Sequence, residues 1–147
     1  MQLTVVKEFT FDAAHYLPEY DGPCQNLHGH TYRLQVGFKG GVDEETGIVV
    51  DFSQIKRQFG KLIDRLDHAY LNDVDLIDFP KYMPTAENMV IWLSHRIQTA
   101  PLDFVEQLEF VRLYETPTSY AEWRKEEKRY NWLGVDQEEL EETLRRR

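Results

Sequence analysis

Cysteine is the scarcest informative residue in this chain: Cys24 is the only one among 147 residues. A single thiol forms no intramolecular disulfide, which fits a reducing compartment and leaves that thiol as a candidate reactive group. Positive charge is also scarce, with 17 Lys and Arg against 26 Asp and Glu and a formal net charge of −9. That balance argues against a phosphate-backbone partner, so no nucleic acid is expected. No apolar run approaches the length of a membrane span. Residues 1–10 alternate in polarity and carry Lys7 and Glu8, which is not the pattern of a signal peptide. A cytoplasmic protein without a membrane partner is the expectation. No internal repeat is visible. What remains is a globular composition, 41% hydrophobic and 13% aromatic, in a length that suits one domain with its own core.

The densest chemistry lies in Cys24-Gln25-Asn26-Leu27-His28-Gly29-His30, a thiol and two imidazoles in seven residues. The strands around it are legible from parity. Leu3, Val5, Phe9, Phe11, Ala13 and His15 share one parity, interrupted only by Lys7, while Thr4, Glu8, Thr10 and Asp12 share the other. This predicts a half-buried strand over 3–15 with its apolar face on the odd positions. Pro18, Asp21-Gly22-Pro23 and Asn26 mark a loop over 16–27. From residue 28 the alternation resumes, with His28, His30, Tyr32, Leu34, Val36 and Phe38 opposed to Thr31, Arg33, Gln35 and Lys39. If the two strands pair antiparallel across the loop, His15 falls at the same end and on the same face as His28 and His30. Three converging imidazoles can hold a metal and leave a fourth place for water or substrate. Gly29 leaves the opposite face bare, so backbone or ligand can approach closely there.

Further along, Gly40-Gly41 to Gly47 reads as a turn or loop, and 48–50 leads into a helix capped by Asp51 or Ser53. Phe52, Ile55, Phe59, Leu62, Ile63 and Leu66 give that helix its apolar stripe, and Asp67-His68 follows at its exit. Residues 69–84 read as a polar loop. A second helix starts at Thr85, buries Ala86, Val90, Leu93 and Ile97, and is ended by Pro101. Strands are expected over about 105–115 and 119–124. The order β-β-α-α-β-β predicts an α+β architecture, an antiparallel sheet with both helices on one face. The tail from 126 is highly charged; Asp136 can cap a short helix carrying Leu140 and Leu144 and ending in Arg145-Arg146-Arg147, a solvated helix or frayed end.

A lone histidine at a strand end is ordinarily structural; three that converge, two of them in His-Gly-His, point to a metal. Cys24 has two readings, a fourth ligand that closes a structural zinc site or a thiolate base or nucleophile whose pKa a nearby metal lowers. Asp67-His68 alone is an ordinary helix-end pair. His95 belongs to a solvated helix face, and Glu115, at a strand end, carries no signal by itself.

Taken together, Phe11-Asp12-Ala13-Ala14-His15, Cys24-x-x-x-His28-Gly29-His30-Thr31-Tyr32, Val50-Asp51-Phe52, Leu66-Asp67-His68-Ala69-Tyr70-Leu71-Asn72, Pro84-Thr85-Ala86-Glu87-Asn88 and Glu115-Thr116 resemble the 6-pyruvoyltetrahydropterin synthase family. The three-residue gap between Cys24 and His28 resembles the 6-carboxy-5,6,7,8-tetrahydropterin synthase branch of the queuosine pathway. The resemblance covers residues 3 to about 124, which divides the chain into a pterin synthase domain over 1–125 and a charged C-terminal extension over 126–147. It implies a T-fold (tunnelling fold), a four-stranded antiparallel sheet with two helices on one face. It also implies a homo-oligomer, expected as a hexamer, with active sites between subunits. His15, His28 and His30 match the family's zinc ligands, Cys24 its catalytic thiol, and Asp67 and His68 the pair that works with the thiol. Glu115 matches the carboxylate that accepts hydrogen bonds from the pterin ring, and Thr85 and Glu87 fall in a motif near the substrate. The implied substrate is 7,8-dihydroneopterin triphosphate, converted to 6-carboxytetrahydropterin with release of triphosphate and acetaldehyde. Two alternatives stand beside it: a 6-pyruvoyltetrahydropterin synthase, which stops before the carbon–carbon cleavage, and a non-catalytic zinc-stabilised domain.

Overall fold

In the computed structural model, residues 1–73, 83–126, 141–143 and 145–146 are described. The alternation of the N-terminal third folds as the pattern requires. Strand β1 (Gln2–His15) pairs antiparallel with β2 (His28–Gly41) along their whole length, in a register that sets His15 opposite His28 and Ala13 opposite His30. Phe11, Ala13, Tyr32, Leu34, Val36 and Phe38 are buried on the predicted face. The strand reaches further than the Gly40-Gly41 turn expected from sequence, because both glycines pair with the start of β1.

Helix α1 (Phe52–Leu66) resolves the choice of cap: the Asp51 carboxylate accepts from the Ser53 N–H at 2.8 Å. It buries Ile55, Phe59, Ile63 and Leu66, while Phe52 stays exposed. Helix α2 (Ala86–Gln98) is capped by Thr85, whose hydroxyl accepts from the Asn88 N–H, and buries Met89, Val90, Trp92, Leu93 and Ile97. Both helices share one core with β1, β2 and β4 (Leu108–Thr116), so they cover a single face of the sheet. The hairpin closes with β5 (Ser119–Arg124).

Three expectations are corrected. The sheet has five strands rather than four and is mixed rather than antiparallel, in the order β3-β1-β2-β4-β5. The added strand, β3 (Ala69–Tyr70), lies parallel to β1 at Ala13 and Ala14. It forms because His68 turns the chain back with φ 58, and the Leu71 N–H then bonds the Ala14 carbonyl at 2.9 Å. The start of the supposed polar loop is therefore sheet edge and core: Leu71 is fully buried. Finally, β4 begins at Leu108, three residues later than expected, because Val105–Gln107 closes a 3₁₀ turn. The expected tail helix rests on Asp136, Leu140 and Leu144, which lie outside the described residues.

β3 covers only Ala13 and Ala14, and among the described residues the rest of the outer edge of β1 has no strand partner. The face of the sheet opposite the helices carries Glu8, Thr10, Asp12, Thr31, Arg33, Gln35, Arg112 and Glu122; there Asp12 pairs with Thr31, Glu8 with Gln35 and Arg33, and Arg112 with Glu122.

Candidate active site

The site grows out of the β1–β2 register. His15 ends β1, and His28 and His30 begin β2, so all three rings project from the helix-covered face at one end of the sheet. Ring centroids are 4.6 Å apart for His15–His28, 5.1 Å for His15–His30 and 4.9 Å for His28–His30. One ligand nitrogen from each lies within 4.8 Å of the others. The His15 Nδ1–H donates to the Pro84 carbonyl at 2.7 Å, and the His28 Nδ1–H donates to the Asn26 carbonyl at 2.7 Å. Those bonds fix the tautomer and leave Nε2 as a lone pair. The Nε2 atoms of His15, His28 and His30 are all buried without a protein hydrogen-bond partner. A buried acceptor left unpaired costs about 1–3 kcal/mol, and three turned toward one another fit a cation. Three imidazoles suit a borderline metal of the zinc type and leave a position open.

Electrostatics favours the same state. Burial lowers the His15 pKa, against the Pro84 carbonyl and the Glu115 carboxylate, which raise it. Burial likewise lowers that of His30, again opposed by Glu115. Neutral imidazoles are what a metal needs. The Glu115 carboxylate stands 3.8 Å from His30 Nε2, so the structure brings this sequence-predicted residue to the rim of the triad. Tyr32, buried against Phe11, has its hydroxyl 3.3 Å from His15 Nδ1.

Cys24 lies half-buried in a 3₁₀ turn (Pro23–Gln25), and its carbonyl, by accepting from the Leu17 N–H at 2.8 Å, pins the 16–27 loop. Its sulfur is not part of the three-histidine group. The geometry therefore gives no support to a closed four-ligand site. Thr85 and Glu87 sit at the start of α2, just after Pro84. The Thr85 hydroxyl serves as the helix cap, and Glu87 is exposed in the first turn, where a carboxylate complements the dipole.

Asp67 and His68 occupy a different surface. One Asp67 oxygen accepts from the Asp12 N–H at 2.9 Å, and the other is 3.0 Å from His68 Nδ1. The Asp12 N–H holds the Asp67 carboxyl below the ordinary carboxylate range, helped by His68. The pair is anchored to the outer edge of β1, where the His68 N–H donates to the Asp12 carbonyl at 2.6 Å. A non-glycine residue at positive φ is strained and persists where the surroundings enforce it, often at functional positions. The His68 side chain is 79% exposed. It borders a cavity of about 420 Å³ lined by Asp12, Ala13, Ala14, Gly29, His30, Thr31 and Ala69; of these, Asp12, Ala14, Gly29 and Thr31 face away from the helices by strand alternation. A second cavity, of about 430 Å³, is lined by Thr10, Gly29, His30, Thr31, Arg33, Tyr114, Glu115 and Thr116. Gly29, His30 and Thr31 belong to both.

Sequence reasoning missed the Pro84 and Asn26 carbonyls, because a main-chain acceptor leaves no mark in residue type. It also gave no role to Asn72, whose amide bonds both the N–H and the carbonyl of Tyr16 at 3.0 and 2.9 Å and so holds the chain just after His15.

Comparison with known proteins gives the family and the fold. The family model described as 6-pyruvoyl tetrahydropterin synthase matches residues 4–126. A 6-carboxy-5,6,7,8-tetrahydropterin synthase of Haemophilus influenzae is 34% identical over 82% of this chain and 98% of its own length. The protein of that name in Synechocystis is 37% identical over 81% of this chain and 91% of its own. Among solved structures, the 6-pyruvoyl tetrahydropterin synthase of Caenorhabditis elegans superposes with a TM-score of 0.77 at 27% identity, covering 86% of this chain and 97% of that one. The architecture is the T-fold of these proteins, and the chain belongs to the 6-pyruvoyl tetrahydropterin synthase family.

Proposed function

We propose that this chain is a zinc-dependent 6-carboxy-5,6,7,8-tetrahydropterin synthase. It would convert 7,8-dihydroneopterin triphosphate to 6-carboxytetrahydropterin with loss of triphosphate and acetaldehyde, in queuosine (7-deazaguanine) biosynthesis in the cytoplasm. The observation that carries the reading is the convergence of three buried, unpartnered Nε2 atoms beside Glu115, in a chain whose relatives at 34 and 37% identity bear that name. We assign the activity to residues 1–125 and treat 126–147 as an extension.

Zinc held through the Nε2 atoms of His15, His28 and His30 would supply Lewis acidity toward the hydroxyls of the substrate side chain. The chain's own groups do the rest. The Glu115 carboxylate accepts from the ring N–H and amino group of the pterin, a pair of donors that a two-oxygen anion matches. Cys24, as thiolate, takes and returns protons on one side of the substrate side chain. His68 does so on the other side, with the Asp67 carboxylate 3.0 Å from its Nδ1 orienting the ring. Thr85 and Glu87 stay near the substrate by way of α2, whose N-terminus is tied to His15 through Pro84.

Two features support active sites shared between subunits of a homo-oligomer, which we expect to be a hexamer. The histidine rings project from the helix-covered face of the sheet, whereas the Asp67–His68 pair is held at the outer edge of β1, so a pair from a neighbouring subunit can complete each site. The unpaired edge of β1 offers a strand for that neighbour to join.

The test is to incubate the zinc-loaded protein with 7,8-dihydroneopterin triphosphate, assay acetaldehyde and identify the pterin by mass. Acetaldehyde with 6-carboxytetrahydropterin is expected, and Cys24→Ala should abolish turnover while keeping its zinc. Triphosphate release without acetaldehyde would move the protein to the pyruvoyl branch, and zinc binding with no turnover would leave a structural zinc domain.

A further inference from the structure

The acidic balance of the chain poses a problem for the function proposed above: a triphosphate ester brings several negative charges to a protein of net charge −9. Among the described residues, only one Lys or Arg lines either cavity at the triad, and it is Arg33. Its position is built by three strands. Thr10, Arg33 and Tyr114 face one another across β1, β2 and β4 in one row. The guanidinium carbon lies 3.9 Å from the centre of the Tyr114 ring, and Tyr114 packs in turn on Tyr120 with centroids 4.8 Å apart. A guanidinium stacked on an aromatic ring loses little further freedom when it binds, and its N–H edge remains available for hydrogen bonds in the ring plane. The contact with Glu8 is 3.6 Å, between side chains 36% and 43% exposed. Such an exposed pair is weak and readily exchanged for a phosphate, which accepts two parallel N–H bonds from the same fork.

The neighbours complete an anion site. Thr10 and Thr116 bring hydroxyl donors to the same cavity, whereas the Thr31 hydroxyl is committed to the Asp12 carboxylate. The cavity also contains Glu115 and His30. Among the described residues, a ligand whose ring is held by Glu115 therefore has Arg33 as the one Lys or Arg lining its cavity, while the Glu115 charge turns the phosphates toward the Arg33 end. We propose that Arg33, assisted by Thr10 and Thr116, receives the oligophosphate arm of the ligand and makes this site selective for phosphorylated over unphosphorylated pterins. The proposal rests on the pterin reading.

Arg33→Met keeps the stem packed on Tyr114 and removes the charge; Arg33→Lys restores a point charge without the fork. For the zinc-loaded wild type and both variants, the KM for 7,8-dihydroneopterin triphosphate is compared with the inhibition constant of unphosphorylated 7,8-dihydroneopterin. Losing a charge-assisted hydrogen bond should raise the KM about tenfold or more in Arg33→Met and less in Arg33→Lys. The inhibition constant, zinc content and Tm should stay as in wild type. Equal losses for both ligands would make Arg33 a merely structural residue and overturn the proposal, as would an unchanged KM; in both cases wild-type turnover leaves the pterin function standing. A wild type that neither turns over the triphosphate nor binds dihydroneopterin would bring down the function and the Arg33 assignment with it.

Discussion

Replacing Gly29 with alanine should leave the fold almost untouched and remove most of the activity. Gly29 does not have positive φ, so alanine adopts its backbone without strain. An added Cβ would meet only the Ala13 carbonyl, with its oxygen at 3.3 Å and its carbon at 4.0 Å. Removing a glycine from the unfolded ensemble stabilises by about 0.4–1 kcal/mol, and easing that one contact by a few tenths of an ångström offsets a similar amount. The net change should lie within about 1 kcal/mol, a Tm shift of a few degrees in either direction. The new methyl, however, stands on the floor shared by the two cavities of about 420 and 430 Å³. A displacement of the ligand by about 1 Å can cost about a hundredfold in rate, so kcat/KM should fall by about 10- to 100-fold. Thermal unfolding and steady-state kinetics on the same preparations check this, with zinc content as the control. Full kcat/KM at unchanged Tm would mean that no ligand lies against the bare face of Gly29. A Tm loss well beyond a few degrees would mean that the Ala13 contact had been underestimated.

Three other outcomes follow from the geometry. Metal removal by a chelator should lower Tm and leave a chain that rebinds one zinc, whereas His28→Ala should bind zinc weakly and lose most of the chelator response; equilibrium dialysis and calorimetry decide it. Leu71→Ala, at a fully buried position, should cost about 2–5 kcal/mol by denaturant unfolding; a surface-loop residue would cost almost nothing. The Asp67 carboxyl is held below its ordinary value of 3.8, so its contribution to stability is complete above that pH and is lost as pH falls through the folded value. Asp67→Asn should therefore flatten the acid side of the stability curve, and identical urea midpoints for variant and wild type down to about pH 3 would refute it.

Alternation brings the three histidines of the candidate metal site together. His15 lies 13 residues before His28, yet parity and an antiparallel turn were enough to set the rings together, because a strand with one buried face tolerates no slip in register. Residues whose position depends on chain direction were less legible. Two residues of β3 carry no periodicity, and Leu71 is an isolated apolar residue whose burial follows from the turn at His68. The pairing of Gly40 and Gly41 was hidden because glycine marks turns more often than strand ends. Asp67 and His68 became candidates through the family motif rather than through spacing, and nothing in their own sequence told which face of the sheet they would flank. Arg33 read as an ordinary polar-face residue, since its partners Tyr114 and Thr10 come from strands far apart in the chain.

The carbonyls that orient His15 and His28 have an evolutionary consequence. A point mutation can delete a side-chain acceptor but not a peptide oxygen, so residues 26 and 84 are free to drift in identity while the ligand tautomers hold. Insertions and deletions have no such freedom, because one residue gained or lost between Asn26 and His28, or at the entry to α2, moves the acceptor itself. Homologues that keep the metal should therefore vary in residue type at these two places and keep their local loop lengths.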